Sequence, residues 1–365
     1  MSLNTLAPVR FQYTANRPGF RQQPSRVQFP TPIQPLLVKG RFRNNGEGHP
    51  FRHQIQAFCI AWKTLCENLK RLFVKSAAYG TVPPALSLKP YPINPGLSTH
   101  WVGHATSLIQ MGGFNILTDP IFGDLGGLYK RKSQLGIRPS HLPPIDAVVI
   151  SHTHRDHLDI PSLRQLLEKG ALRPDTLIVA PAGTLRLFQK LGFSNVKTFH
   201  QWWEPIKLTK STLPGRTLNI TPVATRHWSG RNGFDTNKSL WAGFVFQAGD
   251  KTAYFPGDSA YDEKYFTEIH ARFPKIDLAL MPIGPCEPRA LMEHSHMDPA
   301  EVVKALKILK PSQTTAVHYA TYGLGADQYK TPIQRLNQEW ARAKNDPVLE
   351  HTQFTLLPIG GRLDA

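Results

Sequence analysis

From about residue 98 onward, apolar and polar positions alternate between strand-like and helix-like segments. Short apolar runs rich in β-branched residues predict strands at 107–110, 114–118, 147–150, 176–179, 217–221, 242–247, 252–255, 278–281 and 315–318. Apolar residues spaced three and four apart predict helices at 160–169, 183–191, 262–272 and 299–309. Asp298, Pro299 and Glu301 form a helix-start signature. This alternation is typical of a layered α/β domain.

The first 97 residues have a different pattern and divide into two segments. Residues 1–50 are rich in proline and arginine and contain a single acid, Glu47, which predicts a basic, mostly extended arm. Residues 51–79 place apolar side chains on one helix face and prolines follow them, so 51–97 is predicted to be an amphipathic helix with a linker. This helix can pack on the domain core, or it can present its aromatic residues to a membrane or a partner chain. The remaining residues, 98–365, form the predicted α/β domain.

Composition and charge restrict the environment and the partners. Forty-three Lys and Arg against twenty-six Asp and Glu give a formal net charge of +17, which favours anionic partners such as nucleic acid, lipid headgroups or phosphorylated small molecules. A basic surface can also serve solubility alone. The three cysteines are too few for a disulfide framework or a thiolate metal cage. No apolar run reaches membrane-spanning length and no secretory signal is evident. We therefore expect a cytoplasmic protein that can associate peripherally with membranes.

The segment with the clearest chemistry follows the apolar run at 147–150. His152, His154, Asp156 and His157 are four potential metal ligands within six residues, placed where a strand end can aim side chains into a crevice. His152 and His154 can bind one metal ion, and Asp156 and His157 can bind a second ion next to it. Imidazole and carboxylate ligands without thiolate suit Zn²⁺, and Fe or Mn less exclusively. The alternative is a solvated histidine-rich loop.

Three further predicted strands end in similar residues. His227 follows the strand at 217–221, Asp258 follows 252–255, and His318 closes 315–318. Any one of them alone would more often be an ordinary polar residue of the surface or the core. Because the ends of neighbouring strands meet at one sheet edge, the set together predicts a metal site there.

The full set of motifs resembles the metallo-β-lactamase superfamily, and more narrowly the branch of N-acylphosphatidylethanolamine-hydrolysing phospholipases D. The similar stretches include Trp101-Val-Gly-His104, Ile116-Leu-Thr-Asp119, Ser151-His152-Thr-His154-Arg-Asp156-His157, Arg226-His227-Trp228, Gly257-Asp258, Glu287-Pro-Arg289, His296-Met-Asp298 and Ala316-Val-His318. They span about residues 98–325, and residues 1–80 match no part of the pattern. The resemblance implies the four-layer αβ/βα sandwich of the metallo-β-lactamase fold.

The resemblance also implies roles for individual residues. One Zn²⁺ would be held by His152, His154 and His227, and a second by Asp156, His157 and His318, with Asp258 bridging both. Asp156 and Asp258 would take part in catalysis, Asp156 as a proton shuttle. His296 matches a position associated with substrate contact, and Asp119 one that orients a ligand histidine. Cys286 stands where relatives often carry an aromatic residue.

The function implied is that of a dizinc hydrolase in which a metal-bridging hydroxide attacks the substrate. We expect a phospholipase D-type phosphodiesterase acting on phospholipids like N-acylphosphatidylethanolamine, working at a membrane surface. The alternative is a dizinc hydrolase of another substrate, such as a lactone or a small phosphate ester. A weaker alternative, prompted by the charge, is a nucleic-acid processing protein, but no recognisable nucleic-acid-binding module is present. The sequence leaves the oligomeric state open.

Overall fold

Two seven-stranded β-sheets form the body of the computed structural model, which describes residues 31–44, 96–126 and 129–365. Residues 33–365 belong to one unit, and every contact given below lies within it. A hairpin comes first along the chain. Its strands, β1 (Leu36–Val38) and β2 (Arg41–Arg43), pair antiparallel. The two-residue turn between them, Lys39 and Gly40, has positive φ angles of 50° and 70°, which match the twist of a tight hairpin.

The first large sheet combines an antiparallel half with a parallel half. Its strands are β3 (Leu97–Gly103), β4 (Thr106–Met111), β5 (Phe114–Thr118), β6 (Ala147–Val149), β7 (Leu177–Pro181), β8 (Val196–Phe199) and β16 (Arg362–Asp364), in the order β16-β3-β4-β5-β6-β7-β8. Strands β16 to β5 pair antiparallel, and β5 to β8 pair parallel. The last strand of the chain therefore closes the edge beside β3.

The second sheet is built in the same way. Its strands are β9 (Ile206–Thr209), β10 (Thr217–Val223), β11 (Gly243–Ala248), β12 (Lys251–Phe255), β13 (Leu278–Pro282), β14 (Gln313–Val317) and β15 (Gln353–Thr355), in the order β15-β14-β13-β12-β11-β10-β9. Strands β9 to β12 pair antiparallel and β12 to β15 parallel. Strands β10, β12, β13 and β14 thus run in one direction, and their carboxyl ends share one sheet edge.

Helices cover the outer faces of both sheets. They are α1 (Ile160–Glu168), α2 (Leu185–Lys190), α3 (Glu263–Arg272), α4 (Arg289–Met292), α5 (Pro299–Leu309) and α6 (Lys330–Ala343), with 3₁₀ turns at Pro139–His141 and Pro347–Leu349. Helix α5 begins with the expected capping box, because the Asp298 side chain accepts from the Glu301 N–H while the Glu301 side chain accepts from the Asp298 N–H.

Strand β6 shows how the layers form from the sequence. Ala147 and Val149 lie in the core between the two sheets, whereas Val148 and Ile150 lie in the core beneath α1 and α2. A strand that is apolar on both faces needs cover on both sides, and here it has a sheet on one and helices on the other. The result is the four-layer αβ/βα sandwich expected from the sequence, so that prediction is confirmed.

All nine predicted strands and all four predicted helices are present, with ends displaced by a few residues. Several elements were not predicted from the sequence: the hairpin, β3, β8, β9, β15, β16, α4 and α6. The predicted amphipathic helix at 51–79 lies outside the described residues, as does most of the predicted arm. In the part of the chain that is described, no helix combines the length and apolar character needed to cross a bilayer.

Candidate metal centre

The residues singled out in the sequence meet at one edge of the sandwich. The loop carrying His152–His157 follows β6 of the first sheet, while Asp258 and His318 follow β12 and β14 of the second. At this edge the sheets approach closely: a Cβ on Gly257, where φ is +62°, would lie 2.6 Å from the Cβ of Ser151. Glycine at this position lets the turn before Asp258 reach the loop that carries the histidines.

One group of ligand atoms comes from three histidines. The Nδ1 atom of His154 lies 2.7 Å from Nε2 of His152 and 3.2 Å from Nε2 of His227. His227 joins them from β10, on the opposite sheet. All three rings are close, with His152 and His227 centroids 4.5 Å apart. These three nitrogens could hold one metal ion.

A second group lies beside the first. Nε2 of His157 is 3.2 Å from Nε2 of His318 and 3.4 Å from Oδ2 of Asp156. Asp156 Oδ2 lies 3.8 Å from His318 Nε2. Together with a ring nitrogen of His104, these atoms form a second candidate metal-binding group.

Asp258 lies between the two groups. Its Oδ2 atom is 3.1 Å from His157 Nε2, 3.8 Å from His227 Nε2 and 4.0 Å from His152 Nε2. Its Oδ1 atom is 3.0 Å from His318 Nε2. The carboxylate therefore faces members of both groups.

The outer nitrogens of these histidines have acceptors that fix the rings. Nδ1 of His157 lies 2.7 Å from Oδ2 of Asp119, Nδ1 of His318 lies 2.8 Å from the carbonyl of Gly284, and Nδ1 of His227 lies 2.9 Å from the carbonyl of Ser295. A carbonyl can only accept, so Nδ1 of His227 and of His318 carries a proton, and each ring turns its Nε2 toward the centre.

Asp119 extends the same arrangement to a second histidine. Its carboxylate accepts from the N–H of Ser151 at 2.7 Å and from the Ser151 hydroxyl at 2.6 Å. Since that hydroxyl donates to Asp119, it accepts from Nδ1 of His152 at 2.9 Å. One buried carboxylate thus orients His157 directly and His152 through Ser151.

The donor set fits metal cations. The Nε2 atoms of His157 and His318 lie 3.2 Å apart, and those of His152 and His227 face the same His154 nitrogen. Ring nitrogens this close repel one another unless a proton or a metal ion lies between their lone pairs. Nitrogen and carboxylate oxygen donors without sulfur suit zinc.

The electrostatics point the same way. Burial raises the pKa of Asp156 and of Asp258, but the facing His157 charge and histidine hydrogen bonds hold both pKa values well below the usual range. Burial lowers the pKa of His318, yet the Asp258 carboxylate and hydrogen bonds with Asp156 and Asp258 raise it to about 9. The two buried carboxylates are therefore ionised, and buried anions require positive charge beside them.

His296 lies over the same centre. Its Nδ1 atom is buried, has no hydrogen-bond partner among the described residues, and lies 3.7 Å from Asp258 Oδ2. Arg289 holds the segment, since its guanidinium donates to the His296 carbonyl at 2.9 Å and to Glu301 at 2.5 Å. The Glu-Pro-Arg and His-x-Asp-Pro stretches of the sequence are thus joined in space. His294 is exposed and takes no part in the centre.

Comparison with known proteins identifies the family to which the chain belongs. A sequence model described as a beta-lactamase superfamily domain matches residues 114–319, more than half of the chain. The chain belongs to the metallo-β-lactamase superfamily. The resemblance inferred from the motifs is confirmed, and so is membership of a family of metal-dependent hydrolases.

Within the superfamily, the chain is similar to two named phospholipases. It is 30% identical over 274 residues to N-acyl-phosphatidylethanolamine-hydrolyzing phospholipase D 1 of Caenorhabditis elegans, covering 73% of this chain and 75% of that protein. It is 32% identical over 255 residues to the mitochondrial N-acyl-phosphatidylethanolamine-hydrolyzing phospholipase D of Saccharomyces cerevisiae, covering 67% of this chain. The match spans only 52% of the yeast protein, about half its length.

A solved structure supports the fold of this superfamily member. The isothiocyanate hydrolase from Delia radicum gut bacteria matches with a TM-score of 0.54 at 18% identity, covering 73% of this chain and 100% of that one. At this level of identity the comparison bears on the fold alone.

One residue at the candidate metal centre, His104, was not predicted from the sequence. His104 Nε2 lies 3.0 Å from Asp156 Oδ2, and the His104 ring lies 4.0 Å from that of His318 between centroids. Thr321 accepts from the His104 N–H, and His318 donates its N–H to the His104 carbonyl. His104 immediately follows β3, so the strand-end reasoning applied to His318 could have found it.

Cys286 lies outside the centre. Its thiol is buried and donates to the carbonyl of Ile283 at 3.2 Å, and burial raises its pKa. A small pocket lies beside His104 and His318, and Cys286 is not among the residues that line it.

Proposed function

We propose that this chain is a dizinc phosphodiesterase of the phospholipase D type, acting on phospholipids like N-acylphosphatidylethanolamine. The observation that carries the proposal is the position of Asp258, whose two oxygens face both groups of candidate ligands. The similarity to the worm and yeast phospholipases supports the substrate class.

The proposed ligands divide between the two ions. His152, His154 and His227 would hold one Zn²⁺, and Asp156, His157 and His318 the other, with Asp258 shared between them. The pair of ions would supply a water nucleophile of lowered pKa and positive charge for the phosphoryl oxygens of the substrate.

Residues of the chain then orient the reaction. Asp119 fixes two ligand rings, directly and through Ser151. His296 carries an unpartnered Nδ1 at the centre and is placed to hydrogen-bond the phosphate or the departing alcohol. Asp156 is the one proposed ligand with a partly exposed carboxylate, at 13% of the side chain, which suits a proton shuttle.

The proposed reaction is a hydrolysis. The oxygen of water forms a bond to phosphorus, and the bond between phosphorus and the head-group oxygen breaks. The departing alcohol oxygen takes a proton, and the products are a phosphatidate and an N-acylethanolamine. Asp156 would receive the proton lost by the water, and His296, whose Nδ1 lies 3.7 Å from Asp258 Oδ2, would assist protonation of the departing oxygen.

The test is an activity panel on the zinc-reconstituted full-length protein. Its substrates are an N-acylated phosphatidylethanolamine, a bis-aryl phosphodiester and an acyl lactone, with products identified by mass. The proposal expects phosphatidate from the first substrate, and a lactone-only activity would overturn it. His152→Ala and Asp258→Asn should abolish turnover and lower bound zinc. Asp277→Asn is the matched control, because Asp277 is a buried carboxylate at the opposite end of the parallel strands.

A further inference from the structure

Exposed apolar side chains of the described residues are concentrated in two neighbouring segments. Five of the seven large hydrophobic residues that are exposed there lie in the hairpin or in the loop 228–238. These are Leu36, Leu37, Val38, Trp228 and Phe234. Leu37 is 62% exposed and Phe234 is 84% exposed. Clustered exposed apolar residues mark an interaction surface more often than scattered ones do.

The hairpin alternates apolar and cationic positions. Leu36 pairs with Arg43 and Val38 pairs with Arg41 across the two strands, and exposed Lys39 forms the turn. Strand β1 is exposed at all three positions and forms one edge of its two-stranded sheet. Apolar side chains next to cations are the composition of segments that bind at the surface of an anionic bilayer.

The hairpin is fixed to the loop. The N–H of Phe42 donates to the Asn237 carbonyl at 2.7 Å, and the Arg41 guanidinium donates to the carbonyls of Thr236 and Phe234. Phe42 itself is buried in the main hydrophobic core, and its cross-strand partner Leu37 lies on the same face of the hairpin, whereas Leu36 and Val38 lie on the other face. The hydrogen bonds hold the exposed strand β1 beside the loop that carries Phe234.

The loop is in turn attached to the candidate metal centre. The Trp228 ring, 40% exposed, packs on His154 with 4.1 Å between centroids. Arg231 donates to the carbonyl of Thr153, within the ligand segment, and to that of Leu158, directly after it. We call this surface, made of residues 36–43 and 228–238, the apolar rim. It begins at the hairpin and reaches the ring of a proposed zinc ligand.

The charge of the apolar rim selects its partner. Lys39, Arg41, Arg43 and Lys238 lie on it, and Arg155 lies beside it in the ligand loop, donating to the Arg231 carbonyl. The acid within these segments is Asp235, whose carboxylate is occupied by backbone N–H groups of the same loop. The surface is therefore both apolar and strongly cationic next to the candidate metal centre.

We infer that the apolar rim docks on an anionic lipid surface and so places the metal centre against the headgroups. The apolar side chains would enter the interface and the cations would pair with lipid phosphates and carboxylates. The benefit to the enzyme rests on the proposed function, because a phospholipid phosphate must reach the centre from a membrane. The docking itself can be measured without turnover.

The experiment measures co-sedimentation of the full-length protein with vesicles of equimolar phosphatidylcholine and phosphatidylserine, and with vesicles of phosphatidylcholine alone. The test variant Leu37→Ser/Phe234→Ser removes two exposed apolar groups. Its control is Val348→Ser, an exposed apolar residue at the opposite edge of the second sheet. The cation variant Lys39→Gln/Lys238→Gln is matched by Lys169→Gln/Lys344→Gln, two exposed lysines at helix ends.

We expect Leu37→Ser/Phe234→Ser to weaken vesicle binding about tenfold or more. The cation variant should lose about fivefold per charge on anionic vesicles and little on neutral ones. The controls should bind as the wild type does, and every variant should hydrolyse a soluble bis-aryl phosphodiester at the wild-type rate.

Three results would overturn the inference: no binding by the wild type, unchanged binding by the rim variants, or equal loss in the controls. If the rim variants instead change the oligomeric state while still binding vesicles, the surface contacts a second copy of the chain and the lipid assignment is wrong. Should vesicle binding behave as expected while no phosphodiester is cleaved, the proposed function fails and the docking surface stands.

Discussion

Asp119 offers a direct test of how the metal centre is held in place. Its carboxylate is fully buried and accepts three hydrogen bonds, from the Ser151 N–H, the Ser151 hydroxyl and Nδ1 of His157. In Asp119→Asn, the amide oxygen replaces one carboxylate oxygen and the new NH₂ replaces the other. The NH₂ then faces the Ser151 N–H or, in the other orientation, the Ser151 hydroxyl and Nδ1 of His157, so at least one donor loses its acceptor. The neutral amide is also a weaker acceptor than the carboxylate, so the support of His157 and of Ser151 is weakened.

The size of the effect follows from these contacts. Loss of an outer hydrogen-bond partner of a metal-bound histidine lowers metal affinity by about 10- to 100-fold. That range corresponds to about 1.4–2.7 kcal/mol. Because Asp119 supports His157 directly and His152 only through Ser151, the zinc proposed to bind His157 should weaken more, toward the upper end of this range.

The assay is a zinc titration of the metal-free protein in competition with a chromophoric chelator, which resolves the two binding events. Asp277→Asn is the control, because Asp277 is also buried, accepts from the Thr252 N–H at 2.8 Å and lies away from the centre. Both variants should lose some thermal stability, but only Asp119→Asn should lose zinc. Two zinc ions bound by Asp119→Asn at wild-type affinity would refute the assignment of Asp119 as the residue that orients the ligands.

Three further predictions concern residues that support the centre. His104→Ala removes the contact to Asp156, so the second zinc should weaken about tenfold or more in the same titration, with partial recovery in His104→Gln, whose amide can donate. Arg289→Gln loosens the segment of His296, so kcat should fall about tenfold at unchanged zinc content, as steady-state kinetics with metal analysis would show. Asn44→Ala removes the hydrogen bonds between this side chain and the His227 carbonyl and the indole of buried Trp241. Chemical denaturation should therefore show a free energy of unfolding lowered by about 1–3 kcal/mol.

Each of these expectations has an outcome that contradicts it. Equal zinc affinity in His104→Ala would mean that Asp156 is held without His104. A loss of bound zinc in Arg289→Gln would mean that Arg289 supports the ligands and not His296. An Asn44→Ala protein with wild-type stability would show that the hydrogen bonds of the Asn44 side chain contribute little to the folded domain.

Local pattern was sufficient for much of the fold and for the clustering of the ligands. The run at 147–150 is apolar on both faces, which requires cover on both sides, and polar ligands follow it at once. His227, Asp258 and His318 follow strands that share a direction, so their convergence could be anticipated from position in the sequence. The Asp298 capping box depends on residues three apart and was predicted fully.

Helix α6 did leave a local signal that was overlooked, because Ile333, Leu336 and Trp340 recur at spacings of three and four and pack against the core. Elements stabilised by distant contacts gave no such signal. Residues 36–43 are a hairpin, although the sequence suggested part of an extended arm, because Phe42 packs into a core formed by later residues. Deletion of residues 1–80 would remove these contacts as well, so it cannot by itself separate lipid binding from stability.

The sequence by itself determined which side chains could bind metal, because a strand end fixes the edge at which a residue appears. Only the tertiary structure decided how those side chains divide between the two groups of candidate ligands. Asp258 faces both ligand groups because Gly257 permits the approach to Ser151, more than a hundred residues earlier. His104 meets Asp156 in the same way, through packing of two loops of the first sheet. Such distances depend on how loops and sheets pack together, which no local pattern records.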